Sequence, residues 1–92
     1  MAHLSRDKNK VLLRVRRIAG QVAAIERGLD EERPCEEVLQ LVAAVRGATA
    51  GLMAELLEDH LRMHVLEGQG QTEKERALAV EQLVDALRTY LR

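Results

Sequence analysis

The stretch VLLRVRRIAGQVAAIERGL, Val11–Leu29, decides the fold. Val11, Val15, Ile18, Val22, Ile25 and Leu29 recur with alternating steps of four and three, an a/d seam held for about three heptads. That is the period of a helix, and a strand would alternate every second residue. The seam buries one side against a partner helix and leaves Lys10, Arg14, Arg17 and Gln21 together on another stripe, with Arg16 further round. No periodic apolar residue follows in Asp30–Arg33, and Pro34, the only proline, is welcome at a first helical position but unwelcome after a helical residue. One helix therefore spans about 5–30 and the next begins about 34, with Glu36 and Glu37 in its first turn, where they suit the helix dipole.

Outward from that junction the second helix is long. Val38, Val42, Val45, Thr49, Leu52 and Leu56 continue a 3–4 stripe, widened by Leu41, Ala48 and Met53, and it runs to about 66. Gly68 and Gly70 break the chain, and Thr72 with Glu75 three residues on has the form of a capping box that starts a third helix, about 72–91. Its apolar face is Val80, Leu83, Val84, Leu87 and Leu91. The expected fold is all-α, a three-helix protomer forming one domain over residues 1–92. Gly47 and Gly51 inside the second helix point to the close approach of another helix across their face.

The core must be aliphatic, because the 92 residues include no Phe, no Trp and one Tyr. A chain of this size hides a modest fraction of its surface, and the two seams expose more than one hairpin can cover, so a dimer or tetramer is expected. The net charge of −1 conceals an asymmetry. Residues 1–17 carry +5 and the remainder −6, a basic edge on an acidic body that suits a polyanion. A single cysteine excludes an intrachain disulfide. The charged start lacks the apolar stretch of a signal peptide, and no apolar run approaches ~18 residues. A cytoplasmic protein that does not enter membranes is expected.

Chemistry is concentrated in four residues. His60 and His64 are i, i+4 on one helix face, a spacing that lets two imidazoles share a metal ion. Cys35 sits near the start of the second helix, where the dipole favours the thiolate that binds metal. About 37 Å of helix separates Cys35 from His60, too far for one chain, yet the rotation places both on one face. If two copies pack antiparallel through that face, Cys35 of one chain meets His60 and His64 of the other, and symmetry makes two such sites. His3 joins them if the first two helices form a hairpin. Cys35 with the two histidines suits tetrahedral zinc, and adding His3 leans toward nickel or cobalt. For duplex DNA, Lys10, Arg14, Arg16, Arg17 and Gln21 are phosphate- and base-contact types. These helices are too long for a helix-turn-helix, so DNA would be met by the flat face of a multi-helix assembly. A site made wholly of protein ligands, with no general base beside it, does not point to an enzyme.

Three features together resemble the CsoR/RcnR family of all-helical copper, nickel/cobalt, formaldehyde and persulfide sensors: Arg14–Val22 (RVRRIAGQV), Ala43–Met53 (AAVRGATAGLM), and Cys35 with His60 and His64. The likeness covers essentially the whole chain, and Ala2–Lys10 (AHLSRDKNK) is most like the nickel/cobalt branch. The resemblance implies an antiparallel dimer built on the first two helices, a flat homotetramer, and a repressor that holds its operator when metal-free and releases it to the inducer. Nickel/cobalt members resemble this chain at His3, Cys35, His60 and His64. Copper members have a second Cys where this chain has His64, and persulfide sensors have one where it has His60. Formaldehyde sensors typically have Pro where it has Ala2 and lack His at 64. The expectation is a nickel- or cobalt-responsive repressor of a metal-efflux gene, with zinc a further candidate inducer. The alternative is a formaldehyde-responsive repressor with Cys35 as the nucleophile.

Overall fold

The structure, a computed structural model, describes residues 7–66, 68 and 70–92. His3 and Arg6 lie outside the described residues. Three α-helices, α1 (Lys8–Asp30), α2 (Cys35–Leu61) and α3 (Glu73–Tyr90), follow one another, and no strand occurs among the described residues. The all-helical protomer is as the periodicities imply. The chain forms two compact units, residues 7–54 and 55–92 among those described.

In the first unit Asp7 caps α1, its carboxylate accepting from the Lys10 backbone N–H at 3.0 Å. The far end closes as a Schellman motif. Glu32 N–H donates to the Leu29 carbonyl at 3.2 Å and Arg33 N–H to the Gly28 carbonyl at 2.9 Å. Glu32 takes the left-handed conformation this needs, φ +53°, where glycine is usual. Pro34 then starts α2, its carbonyl accepting from Glu37 and Val38 at 3.0 and 3.2 Å.

The two helices of this unit form an antiparallel hairpin. A side chain at Gly28 would touch Val38 and Leu41, and one at Gly51 would meet Arg14, so the start of one helix lies beside the far part of the other. The partly or fully buried line of α1 is Val11, Arg14, Ile18, Gln21, Ile25 and Gly28, and that of α2 is Val38, Leu41, Val45, Ala48 and Leu52. This is a rotated version of the seam expected from sequence. Val15, Val22 and Leu29 are 42, 49 and 63 % exposed, and Leu39 and Val42 join them on the surface. The aliphatic stripe is wider than one partner helix, so the hairpin takes one edge of it and leaves the other uncovered.

In the second unit α2 passes into a π-helical turn, Arg62–Leu66, where a uniform helix was expected to about residue 66. Gly70 turns the chain with φ +75°. Thr72 caps α3 in a complete capping box. Glu75 N–H donates to Thr72 Oγ1 at 3.1 Å, and Thr72 N–H donates back to Glu75 Oε1 at 3.1 Å. Among the described residues Ala79 is the only hydrophobic side chain that is buried, and no large one is fully buried. Among the described residues, therefore, a single protomer closes no fully buried core.

The segment Cys35–Leu66 is long and apolar enough, by length and composition, to cross a membrane, and none of its apolar window is buried within the chain. Sequence reading found no such run because Arg46 and Glu55 interrupt it, but between Val38 and Leu57 they are the only charges, and Ala fills much of the rest.

Candidate metal centre and nucleic-acid interface

The second unit brings two of the four expected ligands together. His60 lies near the end of α2 and His64 within the π turn. Their ring centroids are 4.9 Å apart and their planes tilted by 48°. π turns inside helices are frequent at functional sites, since the extra residue re-aims the side chains that follow. His60 Nε2 lies 2.9 Å from the Ala79 carbonyl on α3. A carbonyl oxygen only accepts, so Nε2 carries the proton, and in the neutral ring Nδ1 keeps the lone pair a metal needs. A backbone carbonyl that fixes the tautomer and orientation of a histidine is the usual outer-shell partner of a ligating imidazole. The pair opens onto a cavity of about 230 Å³, also lined by Gln71, Glu75, Leu78, Ala79 and Gln82.

Glu75 is committed to the helix cap. Hydrogen bonds from the Thr72 backbone, and then from its hydroxyl, hold the Glu75 carboxyl below its ordinary value of 4.5, against a smaller opposing effect of desolvation.

Cys35 is the first residue of α2, is exposed, and belongs to the other unit. Among the described residues no group of three or more His, Cys, Asp or Glu is placed to hold a metal ion. The residues do fit a shared ion in chemistry: a free thiol at a helix start, and a histidine pair with one imidazole already oriented. Sequence reasoning found the pair by its spacing. It missed the Ala79 carbonyl, because backbone groups leave no mark in a sequence, and it read Glu75 as a cap without placing it at the cavity.

The five candidate DNA residues divide into two sets. Lys10, Arg16 and Arg17 are exposed along α1. Arg14 and Gln21 are partly buried on the line that faces α2, and Gln21 Oε1 is enclosed with no hydrogen-bond partner. The expected single stripe of Lys10, Arg14, Arg17 and Gln21 is thus split, because the rotated seam draws residues 14 and 21 inward.

Residues 7–89 match the family described as metal-sensitive transcriptional repressor. An uncharacterised protein in the bioA 5′ region of Serratia marcescens is 49 % identical over the full length of both chains. The transcriptional repressor RcnR of Citrobacter koseri is 39 % identical, again over the full length of both. The structure of a glutamate-to-histidine variant of the formaldehyde-responsive regulator FrmR, from Salmonella enterica serovar Typhimurium, superposes with a TM-score of 0.87 at 46 % identity, covering 97 % of this chain and 99 % of that one.

Proposed function

We propose that this chain, which belongs to the CsoR/RcnR family of metal-sensitive transcriptional repressors, holds an operator when metal-free and releases it when nickel or cobalt binds. Its family consists of repressors and not enzymes, and membership of it implies DNA binding and oligomerisation. The effector reading is carried by the histidine pair: two imidazoles 4.9 Å apart, one with its proton held by the Ala79 carbonyl and its other nitrogen available. In this reading Cys35 of one chain completes a site with His60 and His64 of another, and His3 adds a further donor.

One soft sulfur with several imidazoles suits a late first-row divalent ion. Zinc is satisfied by four ligands, and nickel or cobalt makes use of more. When bound, the ion supplies a cross-link between chains. The chain's own contribution is the His60–Ala79 hydrogen bond, which ties the ligand ring to α3, so that a reorientation of the ring is carried to that helix. By linkage, whatever factor the metal takes from DNA affinity, DNA takes from metal affinity.

Lys10, Arg14, Arg16, Arg17 and Gln21 contact the duplex in this reading, the exposed cations on phosphate. The aliphatic surface at Val15, Val22, Leu29, Leu39 and Val42 is covered by further copies, first as an antiparallel dimer and then as a flat tetramer. That assembly also covers the apolar helix Cys35–Leu66, in the cytoplasm, without a membrane.

A second reading is favoured by the likeness to the formaldehyde-responsive regulator and by the exposure of Cys35, which would then act as a nucleophile. By the resemblance, His64 speaks for metal, since formaldehyde sensors typically lack a histidine there. The test is DNA-binding anisotropy during titration with nickel, cobalt, zinc and formaldehyde. Release by nickel or cobalt, lost in Cys35→Ala, supports the metal reading. Wild-type protein that holds DNA in all three metals and lets go with formaldehyde overturns it.

A further inference from the structure

Among the described residues α1 exposes the large aliphatic side chains Leu13, Val15, Val22 and Leu29. Val15, Val22 and Leu29 stand on one line of the helix, seven residues apart, and the proposed assembly covers that line. Leu13 is not on it. It precedes Val15 by two residues, about 200° round the helix, and so lies on the opposite side. It is 62 % exposed. The neighbours of a residue on a helix surface are three and four positions away. For Leu13 these are Asn9, Lys10, Arg16 and Arg17, and all four are exposed. A leucine exposed by itself is ordinary. This one stands among three cations, within the surface read as the DNA contact, with no apolar residue at the neighbouring positions of its own face.

We propose that Leu13 reads base identity in that contact: its side chain packs against the C5-methyl group of a thymine in the major groove, while Lys10, Arg16 and Arg17 around it take phosphates. The inference rests on the reading of α1 as a DNA surface. Cations on phosphate fix where a helix lies on the duplex but carry no sequence information. The thymine methyl is the apolar group that base edges offer in the major groove, so it is what an aliphatic side chain there can recognise. Contact removes both apolar surfaces from water, whereas a polar base edge in the thymine's place would lose its hydration and gain no partner. The helix can also come close. Gly20 follows on the line Lys10, Leu13, Arg17, and a Cβ there would meet nothing within 4 Å, so no side chain holds that part of α1 off the duplex.

The experiment uses a duplex selected by the wild-type protein from a random-sequence pool, with binding read by anisotropy. Each thymine is replaced in turn by deoxyuridine, which removes the methyl group and nothing else, and each duplex is titrated with wild-type, Leu13→Ala and Arg17→Ala protein. Leu13→Ala should weaken binding about 5- to 30-fold, the worth of a leucine side chain taken largely out of water. Its plot of log affinity against log salt should keep the wild-type slope, because no phosphate contact is lost. At least one deoxyuridine should weaken wild-type and Arg17→Ala binding yet add no further loss to Leu13→Ala. Circular dichroism and sedimentation velocity check that Leu13→Ala folds and assembles as wild type. A Leu13→Ala protein of wild-type affinity, or losses that add in full at every thymine, overturns the reading of Leu13; a weakened Arg17→Ala in the same series leaves the DNA reading standing. A changed oligomeric state in Leu13→Ala also overturns it and assigns the leucine to a contact between copies. If no duplex is selected at all, the DNA reading falls and the inference with it.

Discussion

The unit of residues 7–54, which holds α1 and most of α2, and the unit of residues 55–92, which holds the end of α2, the π turn and α3, are built alike from helices with aliphatic faces, yet they divide the chemistry between them. The first carries the N-terminal cations and the free thiol, and its polar side chains are either exposed or, for Arg14 and Gln21, laid against the neighbouring helix. The second carries the histidine pair beside a backbone carbonyl and a capped helix start. Neither unit holds three metal donors in place among the described residues. In the reading proposed above a second chain supplies the missing donor, and that makes metal binding a statement about assembly. The exposed valines on α1 are then as much a part of the sensing device as the ligands.

The most disruptive way to break this division is to forbid assembly. Val22→Asp places a charge on a surface that is 49 % exposed in the protomer and that the proposed dimer covers. With no fully buried core closed within one chain among the described residues, we expect smaller species in sedimentation velocity and a drop of at least ~2 kcal/mol in stability, the order of one buried aliphatic side chain. An unchanged oligomeric state would show that this face is ordinary solvated surface. Next in size are the proposed ligands. Cys35→Ala should abolish release of DNA by nickel or cobalt while metal-free binding stays near wild type. His64→Ala should lower metal affinity by more than the ~10–100-fold typical of an outer-shell partner. His3→Ala should cost nickel and cobalt more than zinc. Equal losses for all three metals would remove His3 from the set. Isothermal titration of each variant separates these outcomes.

A finer contrast lies within α1. Arg17→Ala removes an exposed cation, so the slope of log affinity against log salt should flatten by about 0.9 for each phosphate that is no longer neutralised. An unaltered slope would show that Arg17 faces solvent in the complex. Smaller still is an effect on folding alone. Glu32 holds φ +53° in the turn before Cys35, and Glu32→Gly relieves that strain at some cost in the entropy of the unfolded chain. A gain of about 0.5–1 kcal/mol in chemical denaturation is expected, with metal affinity unchanged.

The helices and the histidine pair were legible in the sequence because each is a short-range pattern: steps of three and four, a proline, a capping box, an i, i+4 spacing. The rotation of α1 was not. Val11–Leu29 offers a stripe broad enough to serve two neighbours, and the sequence does not say which neighbour takes which edge. Once the hairpin takes the line through Val11, Ile18 and Ile25, positions 14 and 21 turn inward with it, which splits the expected basic stripe. The π turn at Arg62–Leu66 was equally hidden, since its residues fit an α-helix as well as they fit the wider turn. The Ala79 carbonyl was beyond reach because it needs the third helix to be in place.

The smallest effect expected on metal affinity probes whether the capped start of α3 contributes to the second unit through charge. Glu75 Oε1 accepts from the Thr72 backbone N–H at 3.1 Å and from its hydroxyl at 3.0 Å, and both bonds favour the ionised carboxyl. The folded value therefore lies below the unfolded 4.5. A group of this kind adds stability that is fully present above about 4.5 and fades as the pH falls through the lowered folded value. In an NMR titration the Glu75 side chain should have its midpoint below 4.5, while Thr72→Ala, which removes the hydroxyl's two bonds, should move that midpoint upward and cost about 1 kcal/mol at neutral pH. Glu75→Gln retains an acceptor for the box but no titration, so its stability relative to wild type should improve as the medium is acidified. Ala79 lies one turn further along the same helix, and its carbonyl orients His60. If fraying reaches that far, metal affinity in Thr72→Ala will fall by a small factor; if affinity is untouched while α3 loosens, the His60–Ala79 bond survives without the cap. A wild-type midpoint at or above 4.5 would show that the box does not form in solution.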